Sequence, residues 1–518
     1  MQLTPEEKKV GQENFNRVIG DTRRDFLKKG IAAGVVSGAG LGSMYFGYGA
    51  EVNDPVRVGI IGTGDEGNVL IGALNPSYVQ VVAIADIRPY NVHRAFHGDH
   101  SSEGTLAVRP GLMTKYGWKT EDEARKHVKV YTDKYEELLE NDDIEAVIIA
   151  LPLHLHDQAA IKAMRAGKHV LTEKLMGHSV HQCKEMARVS AETNRHLATG
   201  HQRHYSILYD NAVDTIKRGL IGDLHHIRAQ WHRGNLPGND SWSQPLPPPV
   251  GTDLMSAEAK KLYPLVSKYQ SWKRKLDSVK GAEIDVWAAR VAMLEKQIED
   301  QIVQAEDYGY EQITLEDGKG TVRSPLEELI RWRLWNRTGG GLMAELGSHQ
   351  LDAASIFISS QRDDGQKVLP LSVSAIGGRH IFPLDRDASD HVYCIYEFPN
   401  KGYYKDYESG EVADPNKKIV VTYSSINGNG FGGYGETVMG TGGTLILERE
   451  KEVMLYAGSS TSASVSVKKS DVGPTLDTTA SGSDVAAAVG QAATAGDISR
   501  GYTEEIEHWA WCIRNPDP

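Results

Sequence analysis

Short apolar runs alternate with segments of helical periodicity between Pro55 and about residue 200. The runs VRVGII, VQVVAIAD, EAVIIALP and HVLTEK have the length of strands, and segments with apolar residues at helical spacing, such as HDQAAIKAMRAG, separate them. Strands that are apolar on both faces are typical of a parallel sheet covered by helices on both sides. The pattern therefore predicts a doubly wound α/β domain over residues 51–200.

The pattern changes after residue 200. The stretches HHIRAQWHRG, LSVSAIGGRHI, DHVYCIYEFP, KIVVTYSSI and TVMGTGGTLILERE have strand length, with few helical segments between them. They predict a second, α+β domain over residues 201–518, built on a large, mostly antiparallel open sheet.

Three segments of this second domain differ from the rest of it. Residues 236–330 combine a proline-rich stretch with charged helical periodicity, which predicts a helical insertion that makes oligomer contacts or covers a site. Residues 458–497 consist largely of Ser, Thr, Ala, Gly and Asp and predict a flexible loop. Residues 502–514 predict an amphipathic helix that packs back on the first domain.

The N-terminus carries a pair of arginines before an apolar segment. Arg23 and Arg24 precede the sequence DFLKK, and a Gly/Ala-rich, weakly apolar run follows as far as Ala50. This order is typical of a twin-arginine export signal. We therefore expect residues 1–50 to lie outside the folded domains, with the twin-arginine translocase as a partner. The expected location is periplasmic or otherwise exported, with a membrane anchor if the signal stays uncleaved.

Composition excludes some classes of partner. The chain has 518 residues and a formal net charge of −12, whereas proteins that bind nucleic acid usually present a basic surface. We therefore expect no nucleic acid as a partner. Three scattered cysteines are too few for a disulfide framework or a thiolate metal site.

A glycine-rich turn follows the first predicted strand. Gly62, Thr63, Gly64 and Gly67 lie in a G-x-G-x-x-G pattern between a strand and a helix, an arrangement that suits a pyrophosphate at a helix N-terminus. Asp86 ends the next strand, where a carboxylate can bind the ribose hydroxyls. The combination predicts a Rossmann dinucleotide-binding domain that prefers NAD to NADP, although Arg88 would soften that preference.

Two further groups of residues suggest chemistry. Glu173 and Lys174 end a later strand, at the edge of the sheet where ligands lie. We expect both to contact the cofactor, with the lysine beside the nicotinamide binding a substrate hydroxyl and shuttling its proton. A surface ion pair between the two residues is the alternative. Glu345, His349 and Asp352 recur at helical spacing after a glycine turn, which suits proton abstraction with a carboxylate orienting the histidine. A structural polar stripe and a zinc site are the alternatives. No further His or Cys stands at ligand spacing, so we predict no metal.

The glycine pattern, LPLHLHDQAAIKAMRAGKHVLTEK and GGGLMAELGSHQLD occur in the order found in Gfo/Idh/MocA oxidoreductases, which the chain resembles from about residue 55. The resemblance implies a Rossmann domain, an open-sheet domain that mediates oligomer contacts, and hydride transfer between nicotinamide and a sugar or polyol. It implies Lys174 and His349 as catalytic residues, with Glu345 where the family has aspartate. It also implies that Leu151, His154 and His156 lie near the cofactor, and that Arg203, His204, Tyr205 and Arg333 line the substrate pocket.

One departure from the family concerns the residue after Lys174. The family has a proline there, commonly in a cis bond, and this chain has Leu175. A non-proline cis bond is costly, so we expect either a trans bond with shifted geometry or a cis bond held by its surroundings.

These features predict an NAD-dependent oxidoreductase that acts on a sugar, glycoside or cyclic polyol, with tightly bound NAD. The assembly expected from the resemblance is a homodimer or homotetramer. Redox-neutral cleavage of a glycoside by oxidation and elimination is a second hypothesis, which the export signal favours because free dinucleotide is scarce outside the cytoplasm. A dinucleotide-bound sugar sensor without catalysis is a third.

Overall fold

The computed structural model describes residues 3–19, 39–49, 52–362, 364–470, 473–477 and 500–516. The twin-arginine pair Arg23 and Arg24 lies outside these residues, so the export signal stays a prediction. Within the described ranges, no helix is both long and apolar enough to cross a membrane.

The first domain contains a six-stranded parallel sheet with the order β3-β2-β1-β4-β5-β6. Its strands are Val56–Ile61 (β1), Val79–Ala85 (β2), Lys129–Tyr131 (β3), Ala146–Ile149 (β4), His169–Glu173 (β5) and Leu197–Gly200 (β6). Its helices are Asp65–Ala73, Pro89–His97, Glu103–Val108, Gly111–Tyr116, Glu121–Ala124, Glu136–Leu139, His156–Arg165 and Val180–Thr193.

The apolar strands are buried on both faces because helices cover both. Ile148 belongs to an apolar cluster with the helix Asp65–Ala73, whereas the neighbouring Val147 belongs to a cluster with the helix His156–Arg165. Successive residues of a strand point to opposite faces, so both kinds of position have to be apolar. The predicted doubly wound Rossmann domain is confirmed.

The remaining strands are short or belong to the second domain. They are Leu224–His232 (β7), Ile313–Thr314 (β8), Val322–Arg323 (β9), Ser372–Gly378 (β10), His391–Pro399 (β11), Tyr404–Asp406 (β12), Glu411–Val412 (β13), Lys418–Ile426 (β14), Tyr434–Gly440 (β15), Gly443–Glu448 (β16), Glu452–Ala457 (β17), Ser466–Ser470 (β18) and Gly473–Asp477 (β19).

Seven of these strands form the sheet of the second domain, in the order β10-β11-β14-β7-β15-β16-β17. Strands β7 and β14 run parallel, and the other pairs are antiparallel. The helices Ile207–Lys217 and Ser348–Ser359 contribute to the apolar core on one face. The predicted α+β domain with a mostly antiparallel sheet is confirmed. Val373, Ile376 and Ile395 are exposed on β10 and β11, and the predicted homo-oligomer stays a prediction.

The insertion 236–330 contains the helices Ala257–Leu262, Pro264–Ser278, Glu283–Glu299 and Pro325–Ile330. Its helix Glu283–Glu299 packs against the helix Pro89–His97 of the first domain. Just beyond it, the buried Asp300 forms an ion pair of 2.8 Å with Arg88. The insertion therefore packs against the Rossmann domain near the predicted dinucleotide site.

The N-terminal residues do not all lie outside the fold, contrary to the expectation for residues 1–50. The helix Pro5–Val18 packs against β17, and Phe15 and Val18 lie in the core of the second domain. Gly11, Asn14, Phe15 and Val18 form one buried face of this helix, at a spacing that is typical of an amphipathic helix. A second helix, Ala39–Phe46, packs against the C-terminal helix Tyr502–Arg514.

Part of the segment predicted as a flexible loop is ordered as strands. Strands β18 and β19 pair as a hairpin within residues 458–497, and Val465, just before it, is fully buried. The backbone of Val465 donates a hydrogen bond of 2.8 Å to Asn14 Oδ1, so the N-terminal helix anchors this segment. The polar composition of this segment gave no indication that Val465 is buried. Residues 478–497 lie outside the described ranges.

The C-terminal helix Tyr502–Arg514 returns to the first domain. Ile506, Trp509 and Ala510 join the apolar cluster of the Rossmann sheet, and Arg514 forms an ion pair of 2.8 Å with Glu145. This contact brings Arg500 and Tyr502 into the wall of the cleft between the domains.

Candidate active site at the carboxyl edge of the Rossmann sheet

A cavity of about 960 Å³ lies between the carboxyl edge of the parallel sheet and the second domain. The glycine turn and Asp86 line one half of it, and Lys174, Glu345 and His349 line the other half. Open parallel sheets bind ligands at this edge, and the cavity therefore combines the two groups of residues that the sequence analysis singled out.

The glycine turn leaves no room for side chains at two positions. A Cβ atom on Gly62, whose φ is +87°, would lie 2.6 Å from the carbonyl oxygen of Ala150. A Cβ atom on Gly67 would lie 2.2 Å from the carbonyl oxygen of Gly62. Gly64 faces the cavity at the start of the helix Asp65–Ala73, where backbone N–H groups suit a pyrophosphate. The donors and the close packing fit a dinucleotide.

Asp86 is held at the end of β2 by backbone donors. Its carboxylate accepts hydrogen bonds from the N–H of Thr63 at 2.8 Å and from the N–H of Arg88 at 2.9 Å. The guanidinium of Arg88 turns away to Asp300. Arg88 therefore has its charge neutralised by the insertion.

An ion-pair cluster beside the turn is absent from the sequence prediction. Asp65 binds Arg94 at 2.7 Å and Arg109 at 3.4 Å, and both arginines also contact Asp99. The two arginines lower the pKa of Asp65 against the effect of burial. Asp65 stands within G-x-G-x-x-G, but its partners lie far along the chain, and only the fold brings them together.

The HLH turn is divided between two environments. His156 lies within 2.7 Å of two carbonyl oxygens, those of Leu151 and Leu175, and lines the cavity. His154 packs instead against Tyr310 of the insertion, with ring centroids 5.6 Å apart, and does not line the cavity. Tyr310 itself lines the cavity, and the expected place of His154 near the cofactor stays a prediction.

Lys174 emerges from the end of β5 into the cavity. Its Nζ donates a hydrogen bond of 2.9 Å to the carbonyl oxygen of Glu345. The Lys174–Leu175 peptide bond is cis, which answers the question left open by the missing proline. The hydrogen bond from Lys174 spans the two domains.

Two carboxyl groups are buried beside Lys174. Glu173 and Glu66 each carry one buried oxygen that has no hydrogen-bond partner among the described residues. Burial, reinforced by the neighbouring Glu66, raises the pKa of Glu173 to about 8. Burial also raises the pKa of Glu66, although Lys174 opposes this effect. Glu173 therefore retains its proton at neutral pH.

Glu345 lies on a short π-helical turn, Met343–Gly347, that precedes the helix Ser348–Ser359. Its carboxylate accepts a hydrogen bond of 2.7 Å from Arg333 Nε. Burial opposes its ionisation, yet Arg333 and Lys174 together lower the pKa of Glu345 to about 2. Glu345 and Arg333 thus form an ion pair in the cavity wall.

His349 faces the cavity one turn after Glu345. Its ring lies 5.6 Å from that of Trp231. Burial and the charge of Lys174 lower the pKa of His349 well below its usual value. The imidazole is therefore neutral at neutral pH and can accept a proton.

Asp352 does not orient His349, contrary to the sequence prediction. Its carboxylate contacts Lys367 at 2.9 Å, His204 at 3.1 Å and His201 at 3.5 Å, and it does not line the cavity. Lys367, His204 and His201 hold the carboxylate, and they come from segments that helical spacing does not take into account.

Arg203, His204 and Tyr205 do not line the cavity either. Arg203 is fully buried, contacts Glu436 at 2.8 Å and Glu450 at 2.7 Å, and donates a hydrogen bond of 2.7 Å to the carbonyl oxygen of His349. His204 binds Asp352, and Tyr205 Oη lies 2.8 Å from His508 Nδ1. Arg203 therefore supports the helix of His349 from behind.

The cavity wall also contains residues that are absent from the sequence prediction. Among them are Trp231, Arg233, Tyr434 and Arg500. Trp231 stacks on Tyr434 with ring centroids 4.4 Å apart. The alternation in HHIRAQWHRG places Trp231 and Arg233 on one side of the strand, a signal that the sequence offered.

The fold and the glycine turn define a dinucleotide-binding protein. Residues 56–201 match the Gfo/Idh/MocA family, described as an oxidoreductase family with an NAD-binding Rossmann fold. This match covers the parallel sheet of the first domain and none of the strands of the second domain.

Curated relatives match only part of the chain. A glycosyl hydrolase family 109 protein of Solibacter usitatus is 27% identical over 220 residues, which are 41% of this chain and 46% of the relative. An uncharacterized oxidoreductase of Rhizobium meliloti is 31% identical over 185 residues, 35% of this chain and 47% of that protein. The chain thus matches about half the length of these relatives.

Solved structures are similar over a larger share at low identity. An NAD binding oxidoreductase from Klebsiella pneumoniae is 16% identical with a TM-score of 0.46 and covers 90% of each chain. A myo-inositol 2-dehydrogenase from Lactobacillus plantarum is 14% identical with a TM-score of 0.44, over 89% of this chain and 90% of that chain.

The raised pKa of Glu173 predicts that stability falls as pH rises. Between about 4.5 and 8 the folded protein keeps a proton that the unfolded chain releases, so increasing pH favours unfolding through this window. The effect is at most about 1.4 kcal/mol per pH unit. Glu173→Gln should flatten the pH dependence of the free energy of unfolding, measured by urea denaturation between pH 5 and pH 8, a window set by this shift. The control Glu137→Gln changes an exposed acid outside the cavity, and parallel curves for wild type and Glu173→Gln would contradict the assignment.

Proposed function

We propose that the protein is an NAD-dependent oxidoreductase that transfers hydride between nicotinamide and a CH–OH carbon of a sugar, glycoside or cyclic polyol. The observation that carries the proposal is that Lys174 and His349, from different domains, line the same cavity as the glycine turn. The family of the first domain supports it. Bound NAD would supply the hydride acceptor, and the chain's own residues would bind the alcohol and remove its proton.

Lys174 and His349 have complementary roles in this scheme. The ammonium of Lys174 uses one N–H on the carbonyl of Glu345 and keeps two donors for the substrate oxygen. The neutral His349 accepts the hydroxyl proton. The ion pair of Glu345 with Arg333 keeps the π-helical turn, and hence both groups, in place.

Substitution of either residue should strongly reduce turnover while leaving cofactor binding intact. We expect Lys174→Met and His349→Asn each to lower kcat by about 10²- to 10⁴-fold, the usual contribution of a positioned acid or base. Dinucleotide affinity, measured by fluorescence titration with NADH, should change little. The matched controls Lys184→Met and His181→Asn alter exposed residues of the helix Val180–Thr193. Unchanged turnover in both Lys174→Met and His349→Asn would refute the proposal.

The cofactor preference is also a proposal. Asp86 presents a carboxylate to the cavity, and Arg88, the nearest cation along the chain, is bound by Asp300. A 2′-phosphate beside Asp86 would therefore meet a negative charge, and the neighbouring Arg88 is already neutralised by Asp300. These contacts support NAD over NADP.

Titration with NADH and NADPH tests this preference. We expect wild type to bind NADH at least about tenfold more tightly, because a hydrogen bond to a charged group contributes about 1.5–3 kcal/mol. Asp86→Ser should remove most of the difference, whereas the control Asp143→Ser, outside the cavity, should preserve it. Equal affinities in wild type would contradict the role of Asp86.

Redox-neutral cleavage of a glycoside is the second candidate function. Oxidation of the sugar acidifies the neighbouring C–H bond, elimination releases the aglycone, and return of the hydride with addition of water completes the cycle. The family 109 glycosyl hydrolase names of several relatives favour it. Product formation from glycosides without net reduction of cofactor would identify this route, and net reduction with free sugars would identify a dehydrogenase.

We also propose export by the twin-arginine route, supported by the order of Arg23, Arg24 and the apolar segment that follows. Replacing both arginines with lysine should keep the full chain in the cytoplasm, as measured by fractionation of expressing cells. The control Lys29→Arg should leave the distribution unchanged. Export of the double variant would contradict this localisation.

A further inference from the structure

Arg233 differs from the other arginines of the cavity in lacking an acidic partner. The others have one: Arg88 binds Asp300, Arg94 and Arg109 bind Asp65 and Asp99, Arg333 binds Glu345, and Arg500 binds Glu450. Among the described residues, the side chain of Arg233 has no ion-pair or hydrogen-bond partner, and its one ring contact is with Trp231.

The two acidic side chains that lie close enough to influence Arg233 each form an ion pair with another arginine. Glu345 and Asp240 both favour its charged form. Glu345 is bound by Arg333 at 2.7 Å, and Asp240 is bound by the buried Arg386 at 2.6 Å. Neither carboxylate is free to neutralise Arg233.

The position of Arg233 is costly for a cation without a partner. It is half-buried in the cavity wall, and burial lowers its pKa. Arg333, also positively charged, lies near enough to act in the same direction. A partly desolvated charge without a partner destabilises a protein. An anion bound in the cavity would remove this cost by pairing with Arg233.

Arg233 is also close to the reacting groups. Its Cζ lies 5.6 Å from the centre of the Trp231 ring, and the His349 ring lies 5.6 Å from the same ring. Trp231, stacked on Tyr434, is therefore a neighbour of both the His349 ring and the Arg233 guanidinium. A ligand bound against Trp231 would lie beside both groups.

We propose that Arg233 binds a carboxylate on the substrate, and that the substrate is an acidic sugar or its glycoside. A guanidinium presents paired N–H donors that match a carboxylate. This inference rests on the proposed oxidoreductase site and gives it a substrate class.

Calorimetry with the NADH-loaded protein tests the proposal without requiring turnover. Glucuronate is compared with glucose and galacturonate with galactose, and glucose 6-phosphate and a sulfated glucose separate other anions from a carboxylate. We expect a uronate to bind about 10- to 100-fold more tightly than its neutral counterpart, as for a hydrogen bond to a charged group. Tighter binding of the phosphate or sulfate than of any uronate would overturn the assignment to a carboxylate.

Variants of Arg233 identify the group responsible. Arg233→Gln should lower uronate affinity to that of the neutral sugar, and Arg233→Lys should retain part of the preference because it keeps the charge. The control Arg228→Gln makes the same change on β7 outside the cavity, and the preference should survive it. Equal loss of acidic and neutral ligands in Arg233→Gln and Arg233→Lys would show a structural role and overturn the proposal.

The two proposals fail in different ways. Turnover of neutral sugars without any preference for uronates would overturn the anion site and leave the oxidoreductase proposal standing. Uronate binding that depends on Arg233, without hydride transfer to any sugar, would support the anion site and overturn the oxidoreductase proposal.

Discussion

The site depends on the hydrogen bond between Lys174 Nζ and the carbonyl oxygen of Glu345. Lys174 ends a strand of the Rossmann domain, and Glu345 begins the helical segment that carries His349 in the second domain. Because a charged donor makes a short and directional bond to the backbone, this contact holds the two halves of the site together. A shift between the domains would separate Lys174 from His349.

A buried network supports the second half of this arrangement. Arg203 joins Glu436 and Glu450 and binds the carbonyl of His349. Glu450 also binds Arg500, which lines the cavity. Removing one member of such a network would leave a buried charge without compensation. Arg203 thus supports the cavity wall although it does not itself line the cavity.

The charge of the cavity wall differs between its two ends. Near Lys174, the buried Glu66 and Glu173 have raised pKa values, so the lysine is not matched by two full negative charges. Toward the second domain, Glu345 is ionised and bound by Arg333, whereas Arg233 has no such partner among the described residues. The part of the cavity that faces the second domain therefore carries excess positive charge, although the net charge of the whole chain is negative.

Local patterns in the sequence determined the parallel sheet, the glycine turn and the delivery of Lys174 to the edge of that sheet, because strand periodicity and the conformational needs of glycine are properties of short segments. Tertiary structure decided the rest. Asp352 and Arg203 have the residue types of a site, yet partners distant in the chain draw them away from the cavity. Trp231 and Arg233 reach the cavity only because β7 pairs with β14 and β15. Which charges remain free depends on which opposite charges the fold brings within a few ångströms, and no short segment contains that information.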